Sequence, residues 1–232
     1  MKLEIKMHLS VISTTLGTSV DTLCEKFKEE SKKIDEKQSK LIFEKNQAIL
    51  RKWIALDVMK AEILEYEKFL ITNYLESGIP IQISAFFLSK IELFLIYSRS
   101  ILDILSHNLG IILLRKEYQS INDLRKNSKI PSWLNIYFKD NTKYNSEQPQ
   151  KKNGWLTNLV TCNKNEYRSL RDFVAHRGGI DFIFSQNLDS SYYIILKPRI
   201  NDDFSYAVED LLNNIIQGLE SFFILINDHL VV

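Results

Sequence analysis

The stretch from Ile81 to Leu114 constrains this chain most. Phe86, Phe87, Ile91, Phe94, Ile101 and Leu105 are among its apolar residues, and they leave little of its surface polar. Lys90, Glu92, Arg99, Asp103 and His107 interrupt the run, so it reads as a buried amphipathic helix rather than a membrane span. The helix is expected from Gln82 to about Arg115, as the central core element, with Gly110 kinking or ending it. Hydrophobic residues make up 45% of the 232-residue chain, enough to bury a real core, and seven Gly and four Pro favour long helices over many short strands.

The region before this helix divides in two. Leu3, Ile5, Met7, Leu9 and Val11 alternate with Lys2, Glu4, Lys6, His8 and Ser10, the period of a half-buried strand. Met1 to Ser10 lacks the continuous apolar core of a signal peptide, so a cytoplasmic protein is expected. From about Val20, with Asp21 as a candidate N-cap, the chain becomes rich in Glu and Lys. Phe27, Ile34, Leu41, Ala48 and Ala55 recur every seven residues. A second apolar seam is poor, with Glu30, Gln38 and Lys45 near its places. A solvated helix with one apolar stripe fits this better than a coiled coil. The pattern runs, with room for a break, to Leu75, and Gly78 and Pro80 stop it.

Beyond the central helix, Ile121 to Lys126 reads as a short helix, and Pro131 opens another carrying Trp133, Leu134 and Phe138. Asp140 to Asn153 is a polar loop, and Trp155 to Thr161 a short helix. Glu166 to about Arg177 is a helix stopped by Gly178 and Gly179. Ile180 to Phe184 and Tyr192 to Leu196 flank a polar turn as a β-hairpin, to which the N-terminal strand can add. A last helix starts from Asn201 or Asp202 and runs from Phe204 to about Asp228. The expected fold is mostly α: a single domain over 1–232, a helical bundle of four to five main helices with a small β-hairpin or side sheet. Residues 1–78 form an N-terminal strand and long charged helical region, and 79–232 a helical core.

Charge and cysteines exclude several function classes. Thirty Lys and Arg balance 29 Asp and Glu, so only a local patch can attract nucleic acid. Lys151, Lys152, Lys197 and Arg199 are candidates for such a patch, or ordinary solvated charge. Cys24 and Cys162 lie far apart, with no ligand partner at metal spacing. The sequence has no Gly-rich phosphate loop, Ser nucleophile elbow or His-Glu metal motif. No cofactor and no metal are expected.

One segment carries chemistry: Glu166-Tyr-Arg168-Ser-Leu-Arg171-Asp172-Phe-Val-Ala-His176-Arg177-Gly178-Gly179. Asp172 and His176 are four apart and share a helix face, where the carboxylate can hold the imidazole by one nitrogen and favour its protonated form. Arg168 borders that face. Arg171 and His176 converge if the last turn loosens before the glycines, or meet across two copies of the chain. An Arg that stabilises phosphate charge and a His that moves a proton near neutral pH can cleave RNA through its ribose 2′-hydroxyl without a metal. The plainer alternative is a surface Arg168–Asp172 ion pair and a His176 that favours the helix C-terminus.

The sentence Tyr-Arg-Ser-Leu-Arg-Asp-Phe-Val-Ala-His-Arg-Gly, late in a helical chain, resembles the HEPN family (higher eukaryotes and prokaryotes nucleotide-binding). That family's signature is Arg, four to six residues, then His, commonly with Asn, Asp or His after the Arg; Arg171, Asp172 and His176 take those places. Tyr97-Ser-Arg99-Ser-Ile-Leu-Asp103-Ile-Leu looks like a core helix of one bacterial branch. The likeness reaches from about Ile81 to the C-terminus. It implies a helical bundle that dimerises with two motifs face to face in one composite ribonuclease site, often as a toxin or phage-defence effector held silent by an antitoxin or another regulatory protein. Carried over, Arg171 contacts the scissile phosphate, His176 transfers a proton or binds phosphate, and Asp172 orients them. Arg168 and Arg177 border the substrate. Arg99 and Asp103 either line the floor of the site or form a buried ion pair. Where one subgroup carries a modifiable Tyr two residues after the His, this chain has Gly178, which disfavours a nucleotidyltransferase antitoxin.

The expected function is a homodimeric, metal-independent endoribonuclease acting on RNA. The alternatives are a non-catalytic helical binding module using the charged helix of about Val20 to Leu75, and a nucleotide sensor using Arg168, Arg171 and Arg177.

Overall fold

Four residues divide the charged N-terminal region into two helices, α1 (Thr18–Ser31) and α2 (Glu36–Tyr74). In this computed structural model, which describes residues 18–142, 154–160, 169–171, 180–198 and 206–230, the break comes at Lys32–Asp35. Asp35 caps α2 by accepting from the Gln38 N–H at 3.0 Å. Asp21 lies inside the first turn of α1 rather than capping it. The N-terminal alternating segment, Leu3 to Val11, lies outside the described residues.

The buried stripe of α2 sits one residue away from the expected one. Ile42, Ile49, Leu56, Ile63 and Leu70 are fully buried at strict seven-residue spacing, and Asn46, Trp53 and Glu67 fill the second seam. Leu41, Ala48 and Ala55 flank that stripe. Two of the three second-seam residues are polar, and each has a specific partner. Asn46 accepts from Asn108 Nδ2 at 2.9 Å and donates to the Cys24 carbonyl at 3.1 Å. Glu67 accepts from the Ile194 N–H at 2.7 Å. Burial pushes the Cys24 thiol up to about 12, so it is protonated and inert.

Gly78, with φ +77°, closes the turn after α2, and Pro80 sets the start of α3 (Ile81–Leu114). Asn46 meets Asn108, Lys52 lies over the Tyr97 ring, and Glu62 pairs with Lys90. Those pairs descend along one helix as they ascend along the other, so α2 and α3 are antiparallel. The helix is long and apolar enough to cross a membrane by length and composition alone. From Ser98 to Ile112 it is buried almost throughout. The helix continues past Gly110 to Leu114. A Cβ on Gly110 would strike the Tyr118 ring and the Lys116 carbonyl, so the glycine lets the chain fold back tightly after Arg115 (φ 53°).

Two short helices follow, α4 (Ile121–Arg125) behind its cap Ser120, and α5 (Ser132–Asn141) behind Pro131. Trp155–Asn158 is a single 3₁₀ turn. The hairpin forms as expected, from β1 (Ile180–Gln186) and β2 (Tyr192–Pro198), with Phe182 opposite Leu196. Tyr206–Ala207 add β3, antiparallel to Ile195–Leu196, in the order β1-β2-β3. The last helix, α6 (Val208–His229), therefore starts later than Phe204. Pairing with β2 holds Tyr206 and Ala207 in extended backbone, which ends the strand where the helix can begin. Asn201, Asp202 and Phe204 lie outside the described residues.

The described residues thus form a mostly α structure of six helices with a small antiparallel sheet. Phe27, Phe87, Phe94, Phe138, Phe222 and Phe223 are its largest fully buried side chains, supplied by α1, α3, α5 and α6. Lys26 reaches the carbonyls of Asn227 and Leu230, and Asn227 Nδ2 donates to Ser19 at 2.9 Å, fastening α1 across the end of α6.

Glu67 links α2 to the sheet, and burial holds its carboxyl above its ordinary 4.5. A raised folded value means the ionised form costs stability. That cost is present at neutral pH and is relieved as pH falls through the raised value toward 4.5. Glu67→Gln should keep the bond from Ile194 and abolish this dependence. Denaturant unfolding of the two proteins between pH 7 and pH 4.5 should show wild type gaining relative to the variant as pH falls; parallel curves would refute the assignment.

Candidate functional site

The segment that carries the signature enters the described structure at Ser169–Arg171. Ser169 and Leu170 are buried, and Arg171 is partly exposed in helical conformation. Leu170 anchors these residues in the core, and Arg171 beside it is half-buried. Asp172, His176, Arg177 and Arg168 lie outside the described residues, as do Gly178 and Gly179.

Arg99 and Asp103 lie within them, and they form an ion pair. Arg99 Nε donates to both carboxylate oxygens of Asp103, at 3.0 and 3.1 Å. The spacing of four on α3 brings the two side chains together. Arg99 is only 7% exposed, so its charge needs this partner. Each residue also holds a second element. Arg99 Nη1 donates to the Leu159 carbonyl at 3.0 Å, and Asp103 Oδ1 accepts from the Ile121 N–H at 2.9 Å. The pair therefore ties α3 to the end of the 3₁₀ turn and to the first turn of α4.

The 3₁₀ turn is gripped from the other side by α5 and α6. Trp155 Nε1 donates to the Tyr137 hydroxyl at 3.1 Å, and that hydroxyl donates to the Gly218 carbonyl at 3.3 Å. Tyr137 stacks on Phe222, with ring centres 4.9 Å apart, and burial raises its phenol pKa. A Cβ on Gly218 would overlap the Trp155 ring, so only glycine lets the indole lie on α6. Asn158 Nδ2 adds a bond to Asn214 Oδ1 at 3.4 Å. Leu159, held by Arg99, is twelve residues before Arg171. The chain leading to the signature thus leaves from a rigid anchor made by three helices.

Sequence reasoning paired Arg99 with Asp103 but not with the Leu159 carbonyl or the Ile121 N–H. Backbone partners far along the chain leave no residue-type signal. The other histidines do different work. His107 is buried on α3 with Nε2 3.8 Å from Glu117, and burial, with Lys45 nearby, holds its pKa below the ordinary value. His229 stacks on Trp133 at 4.6 Å. Of the candidate basic patch, Lys197 is half-buried on β2, while Arg199, Lys151 and Lys152 lie outside the described residues. Among the described residues no cluster of three His, Cys, Asp or Glu could hold a metal ion.

Removing one partner of the ion pair should hurt more than removing both. Asp103→Ala leaves a buried guanidinium uncompensated and should cost about 2–3 kcal/mol in urea unfolding; Asp103 is partly exposed, which keeps this below the full buried-pair figure. Arg99→Met combined with Asp103→Leu should recover at least about 1 kcal/mol of that loss. Equal or greater destabilisation by the double variant would show that the bonds to Leu159 and Ile121 outweigh the charge. No family model, no curated protein and no solved structure matches this chain.

Proposed function

We propose that this chain is an endoribonuclease that cleaves RNA through the ribose 2′-hydroxyl, with Arg171, Asp172 and His176 as its working residues. The observation that carries the reading is the run from Glu166 to Gly179, which sets Arg, Asp and His at the HEPN-like spacing and ends in two glycines. Two features of the described chain support it. The mostly α architecture suits the resemblance, and the partly exposed Arg171 follows two buried residues at a helix start.

The chemistry follows from the side chains. A base removes the 2′-hydroxyl proton, and the oxygen attacks the neighbouring phosphorus. The 5′-oxygen leaves and takes a proton, giving a 2′,3′-cyclic phosphate and a 5′-hydroxyl end. His176 moves a proton, since imidazole titrates near neutrality. Arg171 offsets the charge that builds on the phosphate oxygens. Asp172 orients the imidazole, with Arg168 and Arg177 toward the RNA backbone. One His cannot serve as base and acid at once, so a second copy completes the site in a homodimer. Arg99 and Asp103 commit their hydrogen bonds to the fold and act as positioning residues. A toxin or phage-defence effector restrained by a partner protein is the setting that the resemblance suggests.

A second reading, the non-catalytic binding module, is favoured by α2. Phe43, Ile54 and Val58 are exposed along it at spacings of eleven and four, which form one stripe.

Purified protein should cut single-stranded RNA in the presence of a chelator, leave 2′-deoxy substrates intact and produce cyclic phosphate ends. Arg171→Ala or His176→Ala should slow cleavage by at least about 100-fold, the usual scale for losing a proton-transfer group or a charge stabiliser. Folded wild-type protein that cuts no RNA beyond the double variant would overturn the ribonuclease and leave the binding module.

A further inference from the structure

The first turns of α3 expose an apolar face. Ile81, Ala85, Ser89, Glu92 and Ile96 follow one another at steps of three and four, which sets them on one side of the helix. Ile81 is 78% exposed and Ile96 41%, with Leu93 beside them at 41%. From Ile81 to Ile96 the row runs about 22 Å at the rise of an α-helix. At its start it forms one wall of a groove of about 680 Å³, whose other wall is β1, where Ile183 is 43% exposed. Exposed apolar surface that runs on in this way, rather than as scattered single residues, marks a binding face.

Glu92 lies within that face. Of the charged residues beside it, Lys90 is paired with Glu62, and Asp181 sits across from Lys197 in the sheet register. Among the described residues Glu92 has no hydrogen-bond or ion-pair partner, and burial alone holds its carboxyl above the ordinary carboxylate value. A carboxylate set among apolar side chains is complemented by a cation that arrives with an apolar partner. We propose that this face binds an amphipathic α-helix of another protein, with a lysine or arginine inside its apolar stripe to meet Glu92. The shape selects a helix. Along α3 the groove ends at Glu92, and Leu93 and Ile96 continue beyond it. An extended segment lying against β1 would leave those two uncovered. A helix laid along α3 covers the whole row, its ridges seated between the α3 side chains. Two copies of this face would bring two carboxylates together without a cation, and a lipid surface would meet Glu92 with none either. The inference is independent of the ribonuclease reading, and its test involves no RNA.

Fluorescence anisotropy with the full chain tests this. The probe is a labelled amphipathic helix of about eighteen residues, built from leucine, alanine and glutamine with one lysine in its apolar stripe. A twin peptide carries glutamate in place of that lysine. Wild type should bind the lysine peptide at least about fivefold more tightly than the twin, and Glu92→Lys should reverse that order. Ile81→Asp and Ile96→Asp, at exposed positions, should each weaken the lysine peptide about tenfold or more. No binding, equal affinity for the two peptides, or an order unchanged by Glu92→Lys would overturn the proposal. A dimer in sedimentation that Ile81→Asp dissolves would also overturn it, giving the face to a second copy. So would binding to phosphatidylcholine vesicles that Ile96→Asp abolishes, giving the face to a lipid surface.

Discussion

The antiparallel seam between α2 and α3 is the constraint on which the other elements depend. Five aliphatic side chains of α2, from Ile42 to Leu70, are fully buried. Each contributes about 1.5–3 kcal/mol when taken out of water. With α2 laid along it, α3 places Arg99 and Asp103 where they hold Leu159 and Ile121. It also leaves its first turns facing β1. The seam is not uniformly apolar. Asn46 and Glu67 interrupt it, and their partners lie in other elements, Asn108 on α3 and Cys24 on α1 for Asn46, and Ile194 on β2 for Glu67. A polar group in a dry seam is tolerated only where its partner is waiting, so these two residues set the register of the helices and the seat of the sheet.

Ahead of the signature in sequence, the described structure is an anchor. The 3₁₀ turn is held by Arg99 from α3, by Tyr137 from α5 and by the bare backbone of Gly218 on α6. A charged hydrogen bond, an aromatic clamp and a close approach fix one short segment from three sides. Further along the chain, Leu170 of the signature is buried in the core. A ribonuclease site needs its arginine and histidine held within a fraction of an ångström of productive geometry, which rigid supports supply better than loops. This arrangement gives Arg99 and Asp103 a purpose under the proposed function without placing them on the substrate.

Much of the fold was legible in the residues. The central helix, the stop at Gly78 and Pro80, the helix after Pro131 and the hairpin all follow from periodicity and turn chemistry. The stripe on α2 was misplaced by one residue. The true repeat is Ile42-Ile49-Leu56-Ile63-Leu70, and its companion seam carries the polar Asn46, Lys60 and Glu67, so it gives no second apolar period to fix the stripe. Gly110 does not end the helix. Its lack of a side chain accommodates Tyr118 from beyond the helix end, a non-local contact that no local pattern announces. The start of the last helix was placed too early because the pairing of Tyr206 with β2 is non-local. For the candidate site, the sequence supplied the motif and the Arg99–Asp103 spacing, and the structure added the partners of that pair.

The sequence by itself determined the helical character of the chain, the two-sidedness of its strands and the residue types available for chemistry. Those properties are local: they depend on side-chain period, capping residues and spacing along one helix. Only the tertiary structure decided which polar residues are buried with partners, which carbonyl Arg99 holds, and that β1 faces the first turns of α3 across a groove. These depend on groups far apart in sequence that meet once helices pack, and a hydrogen bond to a backbone carbonyl or amide can be made by any residue type at the far end.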